Sequence, residues 1–277
     1  MSFRRLNLIF TLVILALAAG FFWYYRHTHP KYVPPMPKSE INITIIPGWD
    51  LRDIAEDWAK KGLIKNTEEF LVVTGHPAEG KAGQISFSVE TFPLLAEKLE
   101  NSSFEGFIFP DTYRVYADWS PTEILAEKIF PNLENKITTV ERAAAEKRGG
   151  FYRALTMASI IEKEAPTAED MAIVSDIFWR RLENNWPLQS CATVNYLTGK
   201  DTPAISAEDK EIDSPYNTYK YRGLPPTPIS NPGLAAIRAA LNPQKNNFWF
   251  FMTGSDGVTR YARTLEEHNA NVHKYLK

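Results

Sequence analysis

Apolar positions fall into one long uninterrupted block near the N-terminus and into short periodic blocks thereafter. Residues 8–25 form eighteen positions without a formal charge, preceded by Arg4 and Arg5 and closed by Phe21, Phe22, Trp23, Tyr24 and Tyr25. Such a run is long enough to span a bilayer, and the aromatic cluster suits its interface. Ala16-Leu17-Ala18 also matches a small-residue cleavage site, so a removed signal peptide is the competing reading. Continuation of the apolar run beyond that site favours an uncleaved anchor, residues 1–26, with the short tail inside and the body outside. Residues 27–40 carry Pro30, Pro34, Pro35 and Pro37 and read as a stiff linker.

Beyond the linker the pattern changes to strand and helix periods. Residues 41–46 alternate and stop at Pro47-Gly48, which predicts a strand and a turn. Asp50 can cap a helix carrying Leu51, Ile54, Ala55 and Trp58, with Gly62 at its end. Asn66 or Thr67 starts a second helix, and Ile85, Phe87 and Val89 alternate as another strand, giving a small strand, helix, helix, strand unit within residues 41–100. A short helix is expected at 92–99. Ser120-Pro121-Thr122-Glu123 is a capping box that opens a helix to Phe130, and a polar helix follows at 138–148. Further helices are predicted at 152–165, 169–183 and 232–241, the last capped by Asn231. Residues 248–253 and 258–262 read as a hairpin, and Thr264 with Glu267 opens a final helix bearing Leu265, Asn269, Val272 and Leu276. The expected fold class is α+β, with the larger domain at 101–277.

Composition narrows the function classes. With 31 Lys plus Arg against 33 Asp plus Glu and 44% apolar residues, the chain is neither disordered nor a strongly basic nucleic-acid binder. One cysteine, Cys191, excludes an intramolecular disulfide and a thiolate-rich zinc site. The five histidines show no helical metal spacing, no glycine-rich phosphate loop follows a strand, and no Gly-x-Ser-x-Gly elbow is present. Carboxylate chemistry without a metal or nucleotide cofactor leads the catalytic options.

The helix at 152–165 supplies a candidate. On a helical wheel Phe151, Ala154, Leu155, Ala158, Ile161 and Ala165 share one face, and Glu162 falls inside it. Desolvation would raise its pKa, as a general acid requires; a structural pairing of Glu162 with Arg180 or Arg181 explains the same position equally well. Glu164 falls about 160° away and reads as a solvated residue. The segment 213–232 holds five prolines and three tyrosines without a helix or strand period. It predicts a stiff surface loop whose rings and amides suit a sugar, or else a purely structural loop.

Five motifs, in order, carry a resemblance. Phe104-Glu105-Gly106-Phe107-Ile108-Phe109-Pro110-Asp111-Thr112-Tyr113, Ala158-Ser159-Ile160-Ile161-Glu162-Lys163-Glu164, Pro187-Leu188-Gln189-Ser190, the loop beginning Ser214-Pro215-Tyr216-Asn217-Thr218-Tyr219, and Glu267-His268-Asn269 look like the signature of the endolytic murein transglycosylase (MltG, YceG-like) family. The resemblance covers most of the chain from Ile41 onward and implies a single-pass protein with a LysM-like subdomain at 41–100. It implies cleavage of the β-1,4 bond between N-acetylmuramic acid and N-acetylglucosamine within glycan strands, giving 1,6-anhydro ends and limiting nascent strand length. Glu162 matches the catalytic glutamate, and Gln189, Tyr216, Asn217, Thr218, Tyr219, Glu105 and Asn269 match positions expected to contact sugar. Cys191-Ala192 stands where the family usually has Asp-Pro, and the extra repeat ahead of the LysM-like unit in many members is missing here.

The resemblance further implies localisation in the inner (cytoplasmic) membrane with the body on the periplasmic or extracytoplasmic side, peptidoglycan strands as substrate, and peptidoglycan synthases as candidate protein partners. Three other readings stay open on the sequence. They are a glycan-binding module, a scaffold for wall synthesis, and a hydrolase that uses Asp111 or Asp213 as its second carboxylate.

Overall fold

In the computed structural model the described residues are 3–29, 39–79, 81–85, 87–88, 90–200, 202 and 205–276. Helix α1, Phe3–Thr28, belongs to the first of two units, residues 1–38. Its stretch Asn7–Thr28 is apolar and long enough to cross a membrane, with Leu8, Phe10, Leu17 and Trp23 all exposed. Most of the expected proline-rich linker, residues 30–38, lies outside the described residues.

Residues 39–277 form the second unit. Strand β1, Glu40–Thr44, turns Ile43 into the core while Asn42 and Thr44 stay outside. Helix α2, Leu51–Lys60, starts at the capping box expected from Asp50, whose side chain accepts from Arg52 N and Asp53 N while its own N–H donates to Asp53 Oδ2 at 3.0 Å. Leu51, Ile54, Ala55 and Trp58 are buried as their spacing predicts. Helix α3, Thr67–Thr74, is capped by Asn66 and places Phe70 edge-on to Trp58 at 4.9 Å.

The closing strand of this unit is not the one expected. Strands β2, Gly75–His76, and β3, Lys81–Ala82, make only a two-residue ladder, and the described residues 85, 87 and 88 are irregular; Val89 lies outside the described residues. Phe87 instead enters an aromatic cluster with Phe92, Phe104 and Phe130, at 5.9, 5.7 and 4.8 Å between ring centroids. The partner of β1 is β4, Thr112–Tyr116, antiparallel with Ile43 opposite Tyr113 and Ile41 opposite Val115. The strand, helix, helix, strand order is therefore present, closed by residues beyond position 100. An excursion at 75–111 lies within it, including a 3-10 turn at Pro93–Glu97 where a helix was expected.

Helix α4, Pro121–Ile124, opens with the Ser120–Glu123 capping box and continues through a π turn, Leu125–Ile129, into α5, Phe130–Lys136, rather than ending at Phe130. Helix α6, Thr139–Glu146, follows its Thr138 cap. Helix α7, Phe151–Glu164, is buried nearly all round, because α6, α8 (Ala168–Glu183), α9 (Cys191–Thr198) and α10 (Leu234–Leu241) all pack on it. Helix α9 escapes the sequence pattern. Strands β5, Phe250–Thr253, and β6, Thr259–Ala262, form the expected hairpin with Phe251 opposite Tyr261, and α11, Leu265–Tyr275, follows its Thr264 cap.

Asn231 does not cap α10, whose cap is Gly233. Its side chain has other partners: Oδ1 accepts from Ile108 N at 2.9 Å, and Nδ2 donates to Trp49 O at 3.0 Å and to Glu105 Oε1 at 2.9 Å. This asparagine ties the 229–233 segment to the β1–α2 turn and to the 104–109 motif. Gly106 in that motif has φ +87°, and a Cβ there would stand 2.7 Å from Pro228, so neither the backbone angle nor the space admits a side chain.

Candidate active site

The C-terminal end of α7 carries two carboxylates on opposite sides, and tertiary contacts give each a different setting. Glu162 accepts the N–H of Gly233 at 2.9 Å, at the start of α10. Burial pushes its pKa up, while the Gly233 hydrogen bond and the Lys163 charge oppose the shift. Neither arginine weighed as its structural partner is used that way. Arg180 pairs with Asp176 and bonds the Asn246 and Phe248 carbonyls, and Arg181 donates to Leu188 O at 2.7 Å and to Trp249 O at 2.6 Å.

Glu164 is not a solvated face residue. It lines a cavity of about 520 Å³ that is walled by α7, α8, the 188–191 segment, Tyr219, strand β5 and α11. Its Oε1 accepts from Ser190 Oγ at 2.5 Å. Burial raises its pKa; the Ser190 hydroxyl, the Ala192 N–H and the Arg181 charge pull the other way. The wheel went wrong because α7 has neighbours on both sides, so Glu164 at its last turn meets Arg181 of α8, Ser190 and the start of α9, and is only partly exposed.

Among the lining residues Glu164 is the single carboxylate. Around it stand Gln189, Ser190, Cys191, Tyr219, Arg181 and His268. Gln189 is exposed and holds φ +53°, a left-handed angle that costs a non-glycine residue about 1 kcal/mol or more. Two contacts from Thr218 hold the segment there: its carbonyl accepts from Gln189 N at 3.1 Å and its hydroxyl from Ser190 N at 3.1 Å. The Tyr219 hydroxyl lies 3.2 Å from Cys191 Sγ, and Lys210 Nζ sits 5.2 Å from the ring centre. Burial of Arg181 pushes its guanidinium down to about 10, against the raising effect of Glu164 and Tyr219.

Of the residues expected to contact sugar, the structure therefore gathers Gln189 and Tyr219 around one cavity and directs others inward. Thr218 and Asn217 are buried scaffold: Asn217 Nδ2 donates to Lys210 O and Ile212 O, and its Oδ1 accepts from Tyr219 N at 3.1 Å. Tyr216 is also buried, with its hydroxyl 2.8 Å from Thr227 Oγ1. Glu105 is 0% exposed and accepts from Leu51 N at 3.3 Å, Tyr196 OH at 3.2 Å and Asn231 Nδ2 at 2.9 Å. Asn269 is exposed on α11 and is not among the lining residues. Sequence reasoning missed Ser190, Arg181 and His268. Ser190 and His268 belong to the motifs at 187–190 and 267–269, whereas the sequence offers Arg181 only as a partner for the other glutamate.

A smaller cavity of about 160 Å³ lies between α2 and α9, lined among others by Gly48, Asp50, Arg52, Asp53, Asn195 and Tyr196. Lys163 lines both cavities, and Glu162 lines neither.

A family model described as YceG-like matches residues 19–274. The chain belongs to the YceG-like family. It is 36% identical over 172 residues to the endolytic murein transglycosylase of Bacillus subtilis, an alignment covering 62% of this chain and 48% of that protein. It is 32% identical over 204 residues to the protein of the same name in Streptococcus pneumoniae, covering 69% of this chain and 37% of that one. The chain thus spans about half or less of these relatives' length. The crystal structure of a yceG-like protein from Listeria monocytogenes superposes with a TM-score of 0.70 at 30% identity, covering 88% of this chain and 78% of that one. This YceG-like chain and its structural neighbour therefore share the fold across most of their length.

Proposed function

We propose that this YceG-like protein is an endolytic peptidoglycan transglycosylase in which Glu164, rather than Glu162, is the catalytic acid. One observation carries the reading: the cavity holding the sugar-facing candidates Gln189 and Tyr219 contains a single carboxylate, with its pKa raised by burial. Hydrolytic glycosidases use two carboxylates flanking the bond, one for the leaving oxygen and one for water or a covalent intermediate. A lytic cleavage uses one. Protonated Glu164 gives its proton to the glycosidic oxygen as the bond from muramyl C1 breaks. The resulting carboxylate then takes the proton of the C6 hydroxyl as O6 bonds to C1, closing the 1,6-anhydro ring and restoring the acid without water.

Buried surroundings favour the protonated form that begins this cycle, and Ser190 and Arg181 keep the carboxylate from becoming too weak an acid to let its proton go. Neither carboxylate considered for the hydrolase reading stands with Glu164. Asp111 bonds Thr112 N, Asn132 and Lys136, Asp213 bonds Tyr221 and Lys220, and neither lines the cavity.

The substrate assigned to the cavity is the glycan strand of peptidoglycan, in keeping with the names of the two curated relatives. The β1–α2–α3–β4 unit is read as LysM-like, placing a glycan-binding module beside the catalytic body. Helix α1 is compatible with single-pass anchoring, and the orientation assigned is tail inside, body on the wall side, within reach of peptidoglycan synthases.

The test is mass spectrometry of the products that the full chain releases from isolated peptidoglycan. Anhydro-muramyl ends from wild type and Glu162→Gln but not from Glu164→Gln support the assignment. Reducing ends would make the protein a hydrolase, and an active, folded Glu164→Gln would remove Glu164 from the chemistry. Binding without any product would favour the module or scaffold readings.

A further inference from the structure

Strand β5 and α11 form part of the wall of the cavity that Glu164 lines, and His268 stands in it. Its ring stacks on Phe250 with centroids 5.5 Å apart and planes inclined by 29°. Nδ1 is sealed from solvent and has no hydrogen-bond partner. Nε2 is not sealed in this way, and no hydrogen bond to it occurs among the described residues.

These facts select a tautomer. A neutral imidazole has one N–H and one lone pair, and an N–H on the sealed Nδ1 would be a buried donor without an acceptor. Leaving an acceptor nitrogen unpaired is the better tolerated arrangement, so the proton belongs on Nε2, where water or a ligand can meet it. The neutral state itself is favoured by burial and by the nearby Arg181 charge, both of which pull the imidazole pKa down.

We propose that His268 is a substrate-contact residue, donating Nε2–H to a hydroxyl or acetamido oxygen of the N-acetylated amino sugar bound in this cavity. The proposal rests on reading the cavity as the glycan cleft and deepens it: the wall of the acid's own cavity also grips the sugar. The lining residues Leu265, which opens α11, and Leu276, which follows it, are 57% and 53% exposed, leaving apolar surface at both ends of the helix against which a sugar face can lie. The motif Glu267-His268-Asn269 then contributes through its middle member, not through the exposed Asn269.

Three variants separate the hydrogen bond from the ring. His268→Phe keeps a stack on Phe250 and removes the donor, His268→Gln carries an amide nitrogen to about the position of Nε2, and His268→Asn reaches only as far as Nδ1. Each is made in the full chain, in detergent, and measured for Tm, for KM and kcat on peptidoglycan strands, and for binding of chitotetraose by the inactive Glu164→Gln background. The expected result is a KM raised about tenfold in His268→Phe and His268→Asn, near wild type in His268→Gln, with Tm unchanged and chitotetraose affinity following the same order. Wild-type KM and affinity in His268→Phe would overturn the contact. Equal losses in all three variants together with a lowered Tm would make His268 a packing residue and overturn it as well. If wild type yields no anhydro ends while chitotetraose binding still follows this order, the contact stands and the transglycosylase reading falls.

Discussion

Two enclosed glutamates, Glu105 and Glu164, are both pushed up in pKa by burial, yet their surroundings differ in the one respect that matters for chemistry. Glu105 sits at the junction of the β1–α2 turn, the 104–109 motif and the 229–233 segment, 0% exposed, and three donors converge on it while it lines neither of the two cavities described above. Glu164 has the Ser190 hydroxyl on one oxygen and a cavity of about 520 Å³ in front of it. The first arrangement fastens three segments together. The second leaves a carboxyl able to meet a ligand. A raised pKa alone cannot tell them apart; reach to open space can.

The strongest way to break the comparison is to remove each carboxyl and ask what is lost. Glu164→Gln is expected to lower turnover by about 10²–10⁴-fold, the usual contribution of a general acid, with little change in Tm. Glu105→Ala should act on the other axis. It strands the Leu51 N–H, the Tyr196 hydroxyl and the Asn231 amide, and should cost about 3 kcal/mol or more of stability in urea unfolding. If Glu105→Ala were stable but inactive, the roles assigned to the two sites would have to be exchanged.

Titration sharpens the distinction. Because the folded pKa of Glu105 is raised above its ordinary value of 4.5, the stability tied to its neutral form is complete below that value and is lost as pH rises through the folded one. Urea midpoints measured at increasing pH should show this fall, and Glu105→Gln should flatten it. For Glu164 the same direction appears in the rate: kcat/KM should drop on the alkaline side as the acid deprotonates. Arg181→Met, which removes a charge that favours the carboxylate, should move that limb to higher pH. An unmoved limb would separate Arg181 from the acid.

The smallest effect is expected at Glu162. Among the described residues its carboxylate accepts one hydrogen bond, from Gly233 N, so Glu162→Gln should leave activity within a few-fold of wild type and cost about 1 kcal/mol or less. Complete loss of activity in that variant would return the acid role to Glu162.

Local signals wrote much of the fold into the sequence. The Asp50, Asn66, Ser120 and Thr264 caps open helices where expected, because a cap needs only the few residues beside it. Phe87 and Asn231 were misread for a shared reason: an alternating stretch needs a partner strand and a cap side chain must be free. Distant residues decided both, Phe130 for one and Glu105 with Ile108 for the other.

The sequence by itself determined the apolar anchor-length helix, the mixed helix and hairpin composition, and, through ordered motifs, the family. Periodicity, capping and charge run are properties of contiguous residues, so they survive without tertiary information. Only the tertiary structure decided which glutamate of α7 faces a cavity, because a wheel gives the direction of a side chain but not what lies there. It also decided that Thr218 and Asn217 hold the loop, and that Gln189, Tyr219, Arg181 and His268 meet around Glu164. Those residues lie on α7, α8, two loops and α11, far apart along the chain, and only the packing of these elements brings them together.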